Sequence, residues 1–100
     1  MHSLIINFNI QGISHEQYAE ACDSLAATFA EIPGLISKQW LANEATNTYG
    51  GVYLWRDQQS MEAFKNSELF SQVENNPAFT NVTATDFGIL DGPSKVTGVG

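Results

Sequence analysis

The side chains in this sequence that could do chemistry recur at a spacing of two residues. Asn7 and Asn9 alternate with apolar residues near the N-terminus, where an amide could hold a carbonyl or an oxyanion by hydrogen bonding. Tyr53 and Trp55 are also two residues apart, so in a strand both would point to one side. With Trp40 they could line a flat slot for an aromatic ligand. We therefore predict Asn7 as catalytic and Asn9, Trp40, Tyr53 and Trp55 as substrate-binding.

Each of these residues also has a purely structural interpretation. The two asparagines could be solvated or bonded to a neighbouring strand, and the aromatic side chains could be core or dimer packing. His15 could be a general base or lie exposed beside a helix start. Asp86 could be a base if burial raised its pKa, or face solvent. Neither histidine has a cysteine or carboxylate at metal-ligand spacing, so the sequence predicts no metal site.

The first half of the chain predicts a strand followed by a helix. Residues 4–10 alternate between apolar and mixed positions, which is typical of a strand with one buried face. Ser14-His15-Glu16-Gln17 is a capping box that starts a helix, and Pro33-Gly34 ends it. An apolar stripe at helical spacing is expected to lie on the sheet; its members are Tyr18, Cys22, Leu25, Phe29 and Ile32.

The second half predicts a hairpin, a broken helix and a last strand. Residues 35–44 and 49–55 are the hairpin strands, and Gly50-Gly51 indicates a bulge or a close backbone approach. Asp57 can cap a second helix that breaks near Asn66-Ser67. Residues 80–90 are rich in β-branched side chains and predict strand four, followed by a tail over 91–100.

Composition narrows the class of protein. A chain of 100 residues with 43% hydrophobic residues fits a single domain over residues 1–100. Its formal charge of -7 repels polyphosphates and anionic lipids, which argues against nucleic acid and membrane partners. One cysteine and no signal-peptide pattern indicate a reducing compartment, so we predict a cytoplasmic location.

The element order β-α-β-β-α-β predicts an α+β, ferredoxin-like fold. Such a chain forms a four-stranded antiparallel sheet with two helices on one face. The other face is left bare and carries apolar side chains, so two copies are expected to pack sheet to sheet as a homodimeric α/β barrel.

Three segments in this order resemble the YdhR-like putative monooxygenases, a group of the dimeric α/β barrel superfamily related to the antibiotic biosynthesis monooxygenases. The segments are residues 31–35 (Glu-Ile-Pro-Gly-Leu), residues 50–57 (Gly-Gly-Val-Tyr-Leu-Trp-Arg-Asp) and residues 60–64 (Ser-Met-Glu-Ala-Phe). The resemblance implies a homodimer with a pocket between each sheet and its helices. It implies no catalytic motif, and an oxygenase chemistry that needs no metal, flavin or haem.

The resulting hypothesis is a small cofactor-independent monooxygenase, or related oxidoreductase, that acts on an aromatic or planar organic substrate. No cofactor is expected, and the expected partners are a second copy of the chain and a small organic molecule. The alternative is a non-catalytic dimeric ligand-binding or stress-related module that only sequesters a metabolite. Turnover of oxygen separates the two.

Overall fold

The computed structural model describes residues 1–98. Four strands are present, at β1 His2–Ile10, β2 Leu35–Asn43, β3 Thr48–Trp55 and β4 Phe79–Gly88. The α-helices are α1 His15–Ala30, α2 Gln58–Lys65, α3 Glu68–Asn75 and α4 Asp91–Val96, and a single 3-10 turn spans Glu44–Thr46. Within residues 1–98, no helix is long and apolar enough to cross a membrane. The cytoplasmic location stays a prediction.

The strands form one antiparallel sheet in the order β2-β3-β1-β4. The outer strand β4 is thereby paired with β1 from the opposite end of the chain, which is the split arrangement of the predicted ferredoxin-like α+β fold. His2 and Asp86 join the same two strands through their side chains at 2.6 Å. The predicted fold class is confirmed.

The start and the end of α1 follow the predicted signals. The Ser14 hydroxyl accepts a hydrogen bond from the Gln17 backbone N–H, and the Gln17 side chain accepts one from the Ser14 N–H, so the capping box is formed. Beyond the helix, Gly34 has a φ of 82°, a left-handed conformation that favours glycine. Its missing Cβ also leaves the space that the Ser60 side chain occupies. The chain can therefore turn sharply from α1 into β2.

The second helical region is broken as predicted. The Asp57 side chain accepts from the Ser60 N–H and caps α2, while the Ser67 hydroxyl accepts from the Phe70 N–H and caps α3.

The chain after β4 differs from the predicted tail, because Asp91–Val96 forms a short helix. Residues 99 and 100 lie outside the described part of the chain. The hairpin prediction for β2 and β3 is confirmed by their antiparallel pairing.

The core lies between the sheet and the helices. Alternate residues of β1, from His2 to Phe8, are buried, whereas the residues between them point to the opposite, outer face of the sheet. The short helix α4 reaches this outer face, because its Ser94 lines one groove with Ser3, Val52 and Leu54. The face predicted to be bare is therefore partly covered. The largest side chain without exposure is Trp55, which contacts Phe64 of α2 at a ring distance of 5.3 Å. Within residues 1–98 the Trp55 indole N–H has no hydrogen-bond partner. A buried unpaired donor of this kind costs about 1–3 kcal/mol.

We predict that Trp55→Ala lowers the free energy of unfolding by about 3–5 kcal/mol, because removing a buried aromatic ring leaves a cavity. Trp55→Phe is the matched control: it keeps a ring in place and removes the unpaired N–H, so its loss should be clearly smaller. Denaturant unfolding followed by circular dichroism measures both. A loss below about 1 kcal/mol for Trp55→Ala would contradict the position of this residue in the core.

Candidate functional site: a cavity between helix and sheet

Helix α1 is held off the sheet at two points. Tyr18 and Phe29 are its buried residues and lie about three turns apart. Between them Cys22 is half-buried, and Leu25 remains 43% exposed. Most of the predicted apolar stripe is therefore confirmed, since Tyr18 and Phe29 are core residues and Cys22 and Ile32 pack against the core, whereas Leu25 does not. A gap remains under the middle of the helix.

That gap is a cavity of about 250 Å³. Its walls come from every strand, from α1 and from the end of α3, and they are mostly apolar. The lining residues are Ile6, Phe8, Ile13, Tyr18, Ala21, Cys22, Leu25, Phe29, Lys38, Trp40, Gly50, Tyr53, Val73, Asn76, Ala78 and Phe79. The volume is slightly below the ~300–1,000 Å³ of pockets for drug-sized ligands, so the cavity has room for a small, largely apolar molecule only.

Two of the predicted substrate-binding residues, Trp40 and Tyr53, line this cavity. They lie on adjacent strands and face Phe29 of α1, whose ring centroid is 5.1 Å from that of Trp40 and 6.4 Å from that of Tyr53. The three rings thus surround one end of the cavity. Whether Trp40 and Tyr53 bind substrate stays a prediction.

Lys38 is the basic residue at this end of the cavity. Its Nζ lies 3.3 Å from the ring centroid of Trp40, 3.7 Å from that of Phe29 and 4.6 Å from that of Tyr53. Ammonium groups are attracted to ring faces at such distances. Burial nevertheless lowers the pKa of Lys38 to about 7, because desolvation disfavours the charged form.

Gly51 provides the room for this side chain. A Cβ on Gly51 would lie 2.8 Å from the Lys38 Cε and 3.0 Å from the Tyr53 Cε1, which is closer than normal contact. The close approach predicted at Gly50-Gly51 is confirmed. The absent side chain of Gly51 is therefore what allows Lys38 to pass between the rings.

The other titratable groups of the cavity are uncharged near neutral pH. Burial raises the pKa of the Tyr18 and Tyr53 phenols above their ordinary value. Burial also raises the pKa of the Cys22 thiol. Lys38 is thus the lining group whose charge changes near neutral pH.

Trp55 shares the inner face of β3 with Tyr53, and the two rings are stacked at 6.0 Å. It is not among the residues that line the cavity, because it lies at the end of β3 that α2 covers. The two-residue spacing predicted the shared face correctly. It could not predict that the cavity ends before Trp55.

Asn7 and Asn9 lie on the outer face of β1, away from the cavity. Asn7 Nδ2 donates to the Tyr49 carbonyl oxygen at 3.4 Å. Asn9 Nδ2 donates to the Asn47 carbonyl oxygen at 2.6 Å, and its Oδ1 accepts from Asn81 at 2.9 Å. Both asparagines therefore hydrogen-bond to neighbouring strands and loops, and neither lines this cavity. The catalytic role of Asn7 and the substrate-binding role of Asn9 stay predictions.

The two alternative bases, His15 and Asp86, also lie outside the lining of this cavity. His15 Nδ1 lies 2.9 Å from the Tyr49 hydroxyl, and His15 belongs to a neighbouring groove along α1 and β2. The hydrogen bond from His2 holds the pKa of Asp86 below its ordinary value, which makes Asp86 a poor base. In the part of the chain that the structure describes, no group of three or more His, Cys, Asp or Glu is arranged to hold a metal ion.

Sequence reasoning missed Lys38 as a site residue. The available signal was its position two residues before Trp40, on a strand face that the alternation already identified. In a chain with only 4 Lys and Arg residues, a lysine on the same strand face as a tryptophan is unusual enough to single out.

Comparison with known proteins identifies a family for this chain. The family model described as "Putative mono-oxygenase ydhR" matches residues 4–99. The matched segment contains all three motifs that carried the resemblance. Among curated proteins, no sequence matches this chain.

Several solved structures share the fold. The heme-degrader MhuD from Mycobacterium tuberculosis, with two hemes bound in its active site, is 16% identical with a TM-score of 0.71, covering 90% of this chain and 96% of that one. SnoaB, a cofactor-independent oxygenase from Streptomyces nogalater, is 18% identical with a TM-score of 0.67, covering 88% and 91%. An antibiotic biosynthesis monooxygenase is 12% identical with a TM-score of 0.70, covering 90% and 99%. At these identities the likeness shows the fold.

We predict that Lys38→Met stabilises the protein at neutral pH by at least about 1 kcal/mol, because an unpaired ammonium no longer has to be buried. The unfolded chain titrates this amine near pH ~10.4 and the folded chain at about 7. Between these two pH values the unfolded chain binds more protons than the folded chain. The destabilisation caused by Lys38 therefore shrinks as pH rises toward about 10. Denaturant unfolding across that pH range should show the gap between variant and parent narrowing.

Lys95→Met is the matched control, because it removes the same charge from an exposed position in α4. The difference in unfolding free energy between Lys95→Met and the parent should not narrow over this pH range. A Lys38→Met protein that is less stable than the parent at neutral pH would contradict the burial penalty.

Proposed function

This chain belongs to the family described as "Putative mono-oxygenase ydhR", and we propose that it is a cofactor-independent monooxygenase for a planar aromatic molecule that binds between α1 and the sheet. Family membership supports a monooxygenase-like function. The observation that carries the finer proposal is the cavity of about 250 Å³ with Phe29, Trp40 and Tyr53 at one end.

The shape and chemistry of the cavity support a flat, apolar ligand. Aromatic rings favour offset or edge-to-face contact with another ring, worth about 0.5–1.5 kcal/mol beyond burial of area. Phe8 and Phe79, stacked at 4.2 Å, also line the cavity. A planar molecule placed here would contact ring faces and edges around its perimeter.

The reaction proposed is oxidation of an electron-rich phenolic ring by molecular oxygen. One oxygen atom becomes a ring carbonyl and the other leaves as water, whose two hydrogens come from the substrate. The substrate itself supplies the electrons, so the protein has to bind it, exclude bulk water and favour the ionised ring. The apolar lining supplies the first two requirements.

Haem is a ligand to test, because MhuD carries it. Protein ligands of haem iron are histidine, cysteine, methionine or tyrosine side chains. Among the described residues that line the cavity there is no histidine or methionine, and burial raises the pKa of the Cys22 thiol and the two phenols. This lining does not fit haem iron, and the proposed reaction uses none.

We predict that the metal-free protein consumes oxygen with at least one member of a panel of dihydroxynaphthalenes. Ala21→Phe should abolish both binding and turnover, because residue 21 lines the cavity and a phenyl group would occupy it. Ala27→Phe is the matched control on the same helix, at an exposed position outside the cavity. An oxygen electrode and quenching of tryptophan emission measure turnover and binding.

The outcome separates the two hypotheses. Binding without oxygen consumption would favour the non-catalytic ligand-binding or stress-related module. Equal activity of Ala21→Phe and Ala27→Phe would show that the reaction takes place outside this cavity.

We also propose that residues 1–100 form one domain that pairs into a homodimer through the outer face of the sheet, beside α4. That face carries Ile5, Val52 and Leu54, together with Phe87, which is 52% exposed. The C-terminal segment adds Leu90, which is 77% exposed. Apolar side chains grouped on one sheet face are best explained by a second copy that covers them.

We predict a dimer at micromolar concentration with an interface of at least ~1,200 Å² in total. Ile5→Asp should dissociate it, because the new carboxylate would be buried without a partner. Sedimentation analysis measures the assembly, and circular dichroism of Ile5→Asp confirms that the monomer remains folded. A parent protein that sediments as a monomer at these concentrations would remove the proposed dimer.

A further inference from the structure

We propose that Lys38 is the acid–base group of the cavity: its amine takes the proton of a phenol or enol hydroxyl on the bound planar ligand, and the resulting ammonium holds the ligand oxygen. This assignment rests on the function proposed above and narrows the substrate to planar molecules with an acidic hydroxyl. In the step the ligand O–H bond breaks and an N–H bond forms. The electron pair of the O–H bond stays on the ligand oxygen.

Lys38 stands alone in its surroundings. The other residues that line the cavity carry no acidic or basic side chain apart from the neutral phenols and thiol. In the described part of the chain, no carboxylate lies within salt-bridge distance of the Lys38 amine. A buried ammonium without an anion is costly, and an ionised ligand oxygen would supply the missing partner.

Two opposing effects keep both forms of the amine accessible. Removal from water favours the neutral form, and the ring faces of Phe29, Trp40 and Tyr53 favour the ammonium. Burial is the main cause that lowers the pKa of Lys38 to about 7, and the electrostatic effect of Cys22 opposes it. A general base works best when its pKa is near the working pH.

The neighbouring titratable groups do not compete for the proton. Cys22 of α1 and Tyr53 of β3 are near Lys38, and Tyr18 of α1 lines the same cavity. Burial raises the pKa of each of the three, so all three keep their protons near neutral pH. The cavity residues of β1, Ile6 and Phe8, and Phe79 of β4 do not titrate. Lys38 therefore remains the one base of the described cavity.

The test uses 4-nitrophenol as a probe and its methyl ether, 4-nitroanisole, as a control without the proton. Bound to the parent protein, 4-nitrophenol should show the visible absorption of the phenolate at a pH where the free probe is mainly protonated. Its affinity should follow a bell-shaped pH profile whose acid limb reflects the probe and whose alkaline limb, near about 7, reflects Lys38. 4-Nitroanisole should bind without that profile.

Two variants separate proton transfer from simple attraction. Lys38→Met should bind 4-nitrophenol as the neutral phenol and about 10- to 100-fold more weakly, the value of a charge-assisted hydrogen bond, while its affinity for 4-nitroanisole is unchanged. Lys38→Arg keeps the charge but has no accessible neutral form. Its affinity for 4-nitrophenol should rise with pH and level off, without the alkaline limb.

Two results would overturn the role of Lys38: phenolate absorption that persists in Lys38→Met, or a bound probe that stays protonated in the parent protein. In both cases 4-nitroanisole would still bind, and the proposed planar-ligand site would stand. If neither probe binds the parent protein, the proposed function itself fails. Should Lys38→Met not fold, the phenolate absorption of 4-nitrophenol bound to the parent protein decides alone.

Discussion

The separation between α1 and the sheet is the constraint on which the rest of the molecule depends. Tyr18 packs edge-on against Tyr49 at 4.7 Å, and Phe29 packs against Trp40 at 5.1 Å. Ala21 and Cys22 lie between these two contacts and are too small to fill the gap. Protein interiors are normally close-packed, and the cavity of about 250 Å³ lies between these two aromatic contacts.

Lys38 adds a second cost to the same region. An unpaired amine among aromatic rings contributes little to folding, and its side chain fits because residue 51 is a glycine without a Cβ. Burial penalties of this kind are typical of functional sites. The apolar cavity and the half-buried amine are the two observations that support the proposed site for a planar, ionisable molecule.

Much of the fold could be predicted from the sequence because its signals are local. The capping box at Ser14, the Asp57 cap and the two-residue alternation of β1 depend on neighbouring residues alone, and the structure contains each of them. The helix Asp91–Val96 was missed, since a six-residue segment with Gly92 and Pro93 lacks helical periodicity.

The site was harder to predict because it depends on how the helices pack against the sheet. Alternation placed Tyr53 and Trp55 on one face, but only the position of α2 over the end of β3 separates a cavity residue from a core residue. Asn7 and Asn9 were chosen for their polarity, and polarity on a half-buried strand favours the face away from the core. The lowered pKa of Lys38 comes from burial between the sheet and α1, which no sequence pattern reports.

The most direct test of the central claim is to locate a bound planar molecule by nuclear Overhauser effects to labelled methyl groups. Naphthalene is a suitable probe because it has no ionisable group and depends on the cavity alone. The cavity predicts contacts to the methyl groups of Ile6, Ile13 and Val73. Contacts to Ile5, Val52 and Leu54 on the outer face, with none to the cavity methyl groups, would show that the molecule binds outside the cavity and would contradict the account.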